Sequence, residues 1–279
     1  SEKSDVKENL LSSIKFKEPV KAEKNLKYLR SGAGIFERKE FDSRTIELFN
    51  SVEPQLLKFL ANMVDPDKVL DNFAKVIRST RFPSIWYNEL SNPKVLKNFL
   101  TVCLYSQRTI DLLAINKLLE ENFLSGKAFI KNFQDDLYEM KTEEVIFISA
   151  VQFALGLIDS EEISKVFSTI IQEKLKKLCT ELGINYKYCL CGMGSFGSIT
   201  MNFASDVDLV VFVDDLDVVS DAQKDFQKFL AAAKNELKPF DVDFRLRPEG
   251  KSSPLVWNIK NYKNYLINRA RIWEFQTLL

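Results

Sequence analysis

The chain has 279 residues, 46% of them hydrophobic and 28% charged, enough for one large domain or two modest ones with a true core. Lys plus Arg and Asp plus Glu balance at 39 each, so no charge excess points to nucleic acid or a membrane surface. His is absent altogether, which excludes His-based triads, His general bases and zinc sites with His ligands; any catalysis here must rest on carboxylates and metal.

The first four residues, Ser1 to Ser4, are too polar for a secretory signal, and no apolar run is long enough to cross a bilayer. The four cysteines, Cys103, Cys179, Cys189 and Cys191, read as reduced thiols of a cytoplasmic protein, mostly in the core. Residues 1–25 are rich in Lys, Glu and Ser with weak periodicity, and a flexible start is expected. A helical region follows over residues 26–158. Asp65-Pro66 and Asn92-Pro93 each set a capping side chain before a proline at the first helical position. Val69, Leu70, Phe73, Val76 and Ile77 then make one apolar face, and Leu96, Phe99, Leu100 and Cys103 another.

A second region is expected over residues 159–279. Asp159 with Glu162 has the spacing of a capping box and opens a long helix with Ile163, Phe167, Ile170, Ile171, Leu175 and Leu182 on one side. Gly183 should stop it. The period then changes to two, predicting strands over Tyr186 to Cys191, Asp206 to Val213 and Phe240 to Leu246. A helix over 219–237 should join the second strand to the third, ended by Pro239, and a final helix should run from about Lys260 to the last residue. The pattern stops there without a terminator and the chain lacks an initiating Met, so a piece of a longer protein is expected. The fold class is α+β: a helical N-terminal region, then a small mixed sheet with flanking helices.

The chemistry concentrates after the first strand. In Cys191-Gly-Met-Gly-Ser-Phe-Gly-Ser198, Gly192 and Gly194 let backbone N–H groups approach a phosphate closely, and Ser195 adds a hydroxyl donor. The Gly-Lys-Ser/Thr ending of a Walker A loop is missing. Ten residues separate Ser195 from Asp206, which opens Asp206-Val-Asp-Leu209. On a strand, Asp206 and Asp208 share a face with Cα atoms roughly 6–7 Å apart, so both can converge on one or two metal ions. Phe240-Asp-Val-Asp-Phe-Arg-Leu-Arg247 alternates, with Asp241, Asp243, Arg245 and Arg247 opposite the apolar face. Carboxylates supply hard oxygen ligands to Mg²⁺, and Arg forks grip phosphate oxygens.

This order of strand, Gly-Ser, Asp-x-Asp strand, helix and third-Asp strand resembles the DNA polymerase β nucleotidyltransferase superfamily. Within it, residues Gly192 to Leu209 and Val242 to Val256 are similar to the signatures of the glutamine synthetase adenylyltransferase/adenylyl-removing family. Arg269 to Leu279 looks like that family's following helix. The resemblance runs from about residue 65 to 279. It departs at Ser195, where the family usually has Lys, and at Ser198 and Thr200, which replace a Gly and an acid.

The resemblance implies Asp206, Asp208 and Asp243 as ligands of two Mg²⁺ ions and as the catalytic carboxylates. It implies Gly192, Gly194, Ser195, Arg245 and Arg247 as nucleotide or phosphate contacts. ATP, or ADP with phosphate, would be the small substrate and a tyrosine of glutamine synthetase the acceptor. AMP would be transferred to that tyrosine or removed from it by phosphorolysis, and a PII-type signal protein would act through the full-length enzyme. Asn202 and Ser253-Pro-Leu-Val256 lean toward the adenylyl-removing module. The alternatives are a same-fold transferase with another protein or nucleic-acid acceptor, and a module that binds nucleotide or a partner without turnover.

Overall fold

A computed structural model of the chain describes residues 10–33, 40–130, 138–250 and 253–276. It divides into two compact units, residues 1–131 with 147–157 and residues 132–146 with 158–279. No described helix is long and apolar enough to cross a membrane.

The first unit is helical: α1 (Pro19–Ser31), α2 (Ser43–Leu60), α3 (Pro66–Ser79), α4 (Pro83–Leu90), α5 (Pro93–Tyr105), α6 (Gln107–Ile115) and α7 (Lys117–Leu124). The capping signals act as their chemistry dictates. Asp65 accepts from the Lys68 amide at 3.1 Å and Asn92 from the Lys94 amide at 2.9 Å, each ahead of its Pro. Val69, Leu70, Phe73, Val76 and Ile77 are buried, as are Leu96, Phe99, Leu100 and Cys103. Phe73, Trp86, Phe99 and Phe123 interlock through mostly edge-on and tilted ring contacts. α1 was hidden by its polar composition: only Ala22, Leu26, Tyr28 and Leu29 mark its buried face. Residues 1–9 of the expected flexible start lie outside the described residues. α8 (Thr142–Ala154) crosses the boundary between the units.

The second unit is built on α9 (Ser160–Glu181), β1 (Tyr188–Met193), the single turn α10 (Gly194–Gly197), β2 (Val207–Val213), α11 (Val219–Glu236), β3 (Val242–Asp243), β4 (Val256–Asn258), α12 (Ile259–Asn268) and α13 (Ile272–Gln276). The expected α+β class is found. Asp159 and Glu162 close a capping box at the start of α9, each side chain accepting from the other's amide at 2.8 and 3.0 Å. Gly183, at φ +65, ends the helix in the left-handed region.

The sheet is mixed. β1 runs antiparallel to β2, with Met193 opposite Asp208 and Cys191 opposite Val210. On the other edge of β2 two short strands follow one another, both parallel to it. β3 pairs beside Val207 and Asp208, and β4 beside Val211 to Val213. One face of the sheet buries Val207, Leu209, Val211 and Val213 with Phe167, Phe226, Phe229 and Phe244. Lys174 on α9 is buried and reaches Glu236 on α11 at 2.5 Å, tying the two helices of that face. The other face carries Met193, Val210 and Phe212, covered by Trp257 and Tyr262.

Three sequence expectations are corrected. The third strand stops at Asp243 instead of reaching Leu246, because Arg247 folds back. Its Nη1 donates to the Phe244 carbonyl at 2.6 Å and its Nε to the Ser253 carbonyl at 3.2 Å, which curls the segment into a turn. β4 was not foreseen: three residues are too few to display a period of two. The final helix breaks after Asn268, where the amides of Arg269 and Ala270 both close on the Tyr265 carbonyl, and restarts at Ile272.

Candidate active site

Three chain segments meet at the β1/β2/β3 end of the sheet. The first is the turn after β1. Gly194 stands at φ +53, a conformation only glycine adopts without strain, and a methyl added there would lie 3.0 Å from Asp208 Oδ2. Gly197 presses against the start of the same turn: its Cβ would fall 2.5 Å from the Gly192 carbonyl oxygen, a backbone atom with no room to yield. Gly192 sits within β1 opposite Leu209, and Ser195 follows in the one-turn helix. Ser198 Oγ donates to the Gly194 carbonyl at 2.9 Å and shares a 2.8 Å hydrogen bond with Thr200 Oγ1, fixing the turn from outside. Gly197 was absent from the sequence-derived set. Its signal was the third glycine of a short run, and only the approach of Gly192 explains it.

The second segment is the entry to β2. Asp206 is exposed immediately before the strand, and Asp208 is half-buried on the same face as Met193. The third is β3, whose Asp243 is the register partner of Asp208. Burial raises the Asp208 carboxyl above its ordinary value, the charges of Asp243 and Asp206 raise it further, and only Arg245 opposes them. The three carboxylates are therefore close enough to repel through Asp208, which is the electrostatic condition a hard cation relieves.

The trio is not closed into a ligand set. Among the described residues no three His, Cys, Asp or Glu side chains are grouped so as to hold a metal ion as they stand. The reason is visible at Asp243. Its Oδ1 accepts from the Arg245 backbone amide at 2.6 Å, and its Oδ2 accepts a short hydrogen bond from Arg245 Nε. Arg245 is otherwise exposed. It is thus brought to the carboxylates, while the half-buried Arg247, expected on the same strand face, donates to the Phe244 and Ser253 carbonyls and still feels the charge of Asp243. The donor chemistry suits Mg²⁺, with hard oxygens and an excess of negative charge, provided Arg245 releases Asp243.

A cleft of about 480 Å³ opens on the opposite face of the sheet, between α9 and β1, lined by Ser168, Leu175, Tyr188, Leu190, Gly192 and Leu209 among others. It shares only the glycine turn with the carboxylates, since Asp208 faces away from it.

The family model for glutamate-ammonia ligase adenylyltransferase matches residues 84–279. Curated relatives include bifunctional glutamine synthetase adenylyltransferase/adenylyl-removing enzymes. That of Chromobacterium violaceum is 23% identical over 249 residues, covering 85% of this chain and 27% of the relative. That of Pseudomonas syringae pv. tomato is 24% identical over 338 residues, covering all of this chain and 34% of the relative. That of Bartonella henselae is 32% identical over 96 residues, covering 30% of this chain and 10% of the relative. The chain spans about a third or less of the length of these relatives.

Proposed function

Because the chain belongs to the glutamate-ammonia ligase adenylyltransferase family, we propose that its second unit is a Mg²⁺-dependent nucleotidyltransferase module that transfers AMP to, or removes it from, a tyrosine of glutamine synthetase. The observation that carries this reading is the meeting of Gly194, Asp208 and Asp243, in which the glycine turn lies close against one carboxylate and a second carboxylate stands in register beside it.

Asp206, Asp208 and Asp243 would hold two Mg²⁺ ions, which when bound supply charge neutralisation at the attacking and leaving oxygens of an in-line displacement at the α-phosphorus. The backbone of Gly194 and the hydroxyl of Ser195 hold the phosphate tail of the nucleotide, and Gly192 leaves room for the Phe196 ring that packs under the turn. Arg245 moves from Asp243 to the phosphoryl oxygens and stabilises the negative charge that develops there. Arg247 keeps the turn in shape by gripping the Phe244 and Ser253 carbonyls. In transfer, a tyrosyl oxygen attacks ATP, a carboxylate of the trio takes its proton, and pyrophosphate leaves. In removal, inorganic phosphate attacks the AMP-tyrosine bond, releasing ADP and restoring the tyrosine. Glutamine synthetase is thus the proposed protein partner, and a PII-type signal protein would act through the longer enzyme.

The test is to incubate the chain with adenylylated glutamine synthetase, phosphate and Mg²⁺, and separately with the unmodified enzyme and ATP. ADP formation in the first, or labelled tyrosine in the second, supports the reading. Binding of nucleotide without either product, in wild type and Asp208→Asn alike, points to a non-catalytic module.

A further inference from the structure

On the carboxylate-bearing face of the sheet, β1 displays sulfur at every alternate position: Cys189, Cys191 and Met193. The two thiols are not the core residues expected from sequence. Cys189 is exposed and Cys191 half-buried, and their sulfurs lie 3.5 Å apart. Cys103 and Cys179, in contrast, are buried. Nothing in the nucleotidyl-transfer chemistry uses this pair. Cys191 stands opposite Val210 and Cys189 opposite Phe212, up-strand of the Met193–Asp208 pair, so the thiols form a separate station beside the candidate active site.

We propose that Cys189 and Cys191 bind one thiophilic divalent cation of the Zn²⁺ or Cd²⁺ class, distinct from the hard-cation site of the aspartates. A tetrahedral zinc with Zn–S bonds near 2.3 Å requires its two sulfurs about 3.8 Å apart. The pair already stands within a few tenths of an ångström of that. A disulfide fits less well. Alternate residues of an extended strand have Cα atoms roughly 6–7 Å apart, at the outer edge of disulfide geometry, and the sulfurs would have to close to about 2.05 Å. The cation replaces the two thiol protons, which pass to solvent, and forms two metal–sulfur bonds; water completes the coordination. Burial and the neighbouring Cys189 thiol hold Cys191 up at about 11, so a soft cation, and not spontaneous ionisation, converts the pair to thiolate. Mg²⁺ prefers oxygen ligands and would not compete for sulfur, while Met193 continues the same soft-donor row.

The experiment uses the full chain, reduced with a phosphine and held in excess Mg²⁺ so that the aspartates are screened. Cd²⁺ is titrated in, and the thiolate-to-cadmium charge-transfer absorbance in the ultraviolet is followed. The expected result is saturation at one Cd²⁺ per chain with release of two protons, and displacement of Zn²⁺ by Cd²⁺ when the chain is loaded with Zn²⁺ first. Cys189→Ser and Cys191→Ser should each weaken binding at least tenfold, and Asp208→Asn should leave it unchanged. Absence of the band, a band undiminished in Cys189→Ser, or a band lost in Asp208→Asn would overturn the proposal. Cys189 is exposed, so its serine variant should fold normally, and its circular dichroism checks this.

Discussion

Gly194→Ala is the perturbation that most sharply probes the contact between the glycine turn and the carboxylates. Two costs are combined at this position. The left-handed backbone, φ +53, costs a residue with a side chain about 1–2 kcal/mol. The new methyl also stands 3.0 Å from Asp208 Oδ2, tighter than ordinary contact, so the carboxylate must move by a few tenths of an ångström. Gly183→Ala isolates the first cost, because Gly183 sits at φ +65 with nothing within 4 Å of its added methyl. Gly183→Ala should therefore lose about 1–2 kcal/mol and Gly194→Ala somewhat more, lowering Tm by roughly 2–4 °C in the first and further in the second. Only Gly194→Ala should lose turnover as well, by about tenfold or more, since sub-ångström misplacement of a reacting group carries penalties of that order. Thermal unfolding read beside initial rates separates the two effects. If both variants keep wild-type rates, or both lose rate equally, the turn does not position Asp208 and the reasoning fails.

Asp208→Asn should reduce turnover by at least about a hundredfold, the loss of roughly 3 kcal/mol of transition-state stabilisation, while leaving the fold intact or firmer. The sign follows from its raised carboxyl: the native state holds that proton more tightly than the unfolded chain. Ionisation therefore erodes stability as pH rises from about 4 through the folded value. Denaturation midpoints in metal-free buffer should fall over that window in wild type and fall less in the Asn variant; identical profiles would refute the electrostatic account. Arg245→Ala should free Asp243 and raise the affinity for Mn²⁺ measured without nucleotide, yet weaken the use of phosphate or nucleotide, with Tm changed by no more than about 2 °C because the side chain is largely exposed. A collapse of Tm with normal kinetics would make Arg245 a structural residue instead. Glu236→Gln should cost about 1–3 kcal/mol by weakening the pairing of the buried Lys174 ammonium, read as a lowered denaturation midpoint at neutral pH. An unchanged midpoint would show that solvent satisfies Lys174.

The helices and β2 were legible because their signals are local and strong. Asp65-Pro66, Asn92-Pro93 and the Asp159/Glu162 box are chemical starts, and the apolar stripes behind them repeat over several turns. The Gly194–Asp208–Asp243 meeting was legible because residue type, spacing and strand parity agreed. What escaped depended on distant partners. β4 is held by β2, by the Gln223 side chain accepting from the Val256 amide at 2.9 Å, and by Asn258 donating to the Asp214 carbonyl at 2.8 Å, none of which lies nearby in sequence. The end of the third strand is not legible because the alternation continues past the point where the Arg247 guanidinium captures two carbonyls. The exposure of Cys189 and the half-burial of Cys191 beside the Met193–Val210–Phe212 cluster could not be read from residue type, because cysteine is so often buried.

Asp206, Asp208 and Asp243 are proposed to form one metal-dependent nucleotidyl-transfer site. The most direct measurement is ADP release from adenylylated glutamine synthetase and phosphate as Mg²⁺ is varied, with wild type beside the Asp206→Asn, Asp208→Asn and Asp243→Asn variants at equal folded concentration. The account predicts saturable Mg²⁺ dependence in wild type and loss of the product in all three variants. Mg²⁺-independent product, or near-normal rates in any one of the three, would contradict it.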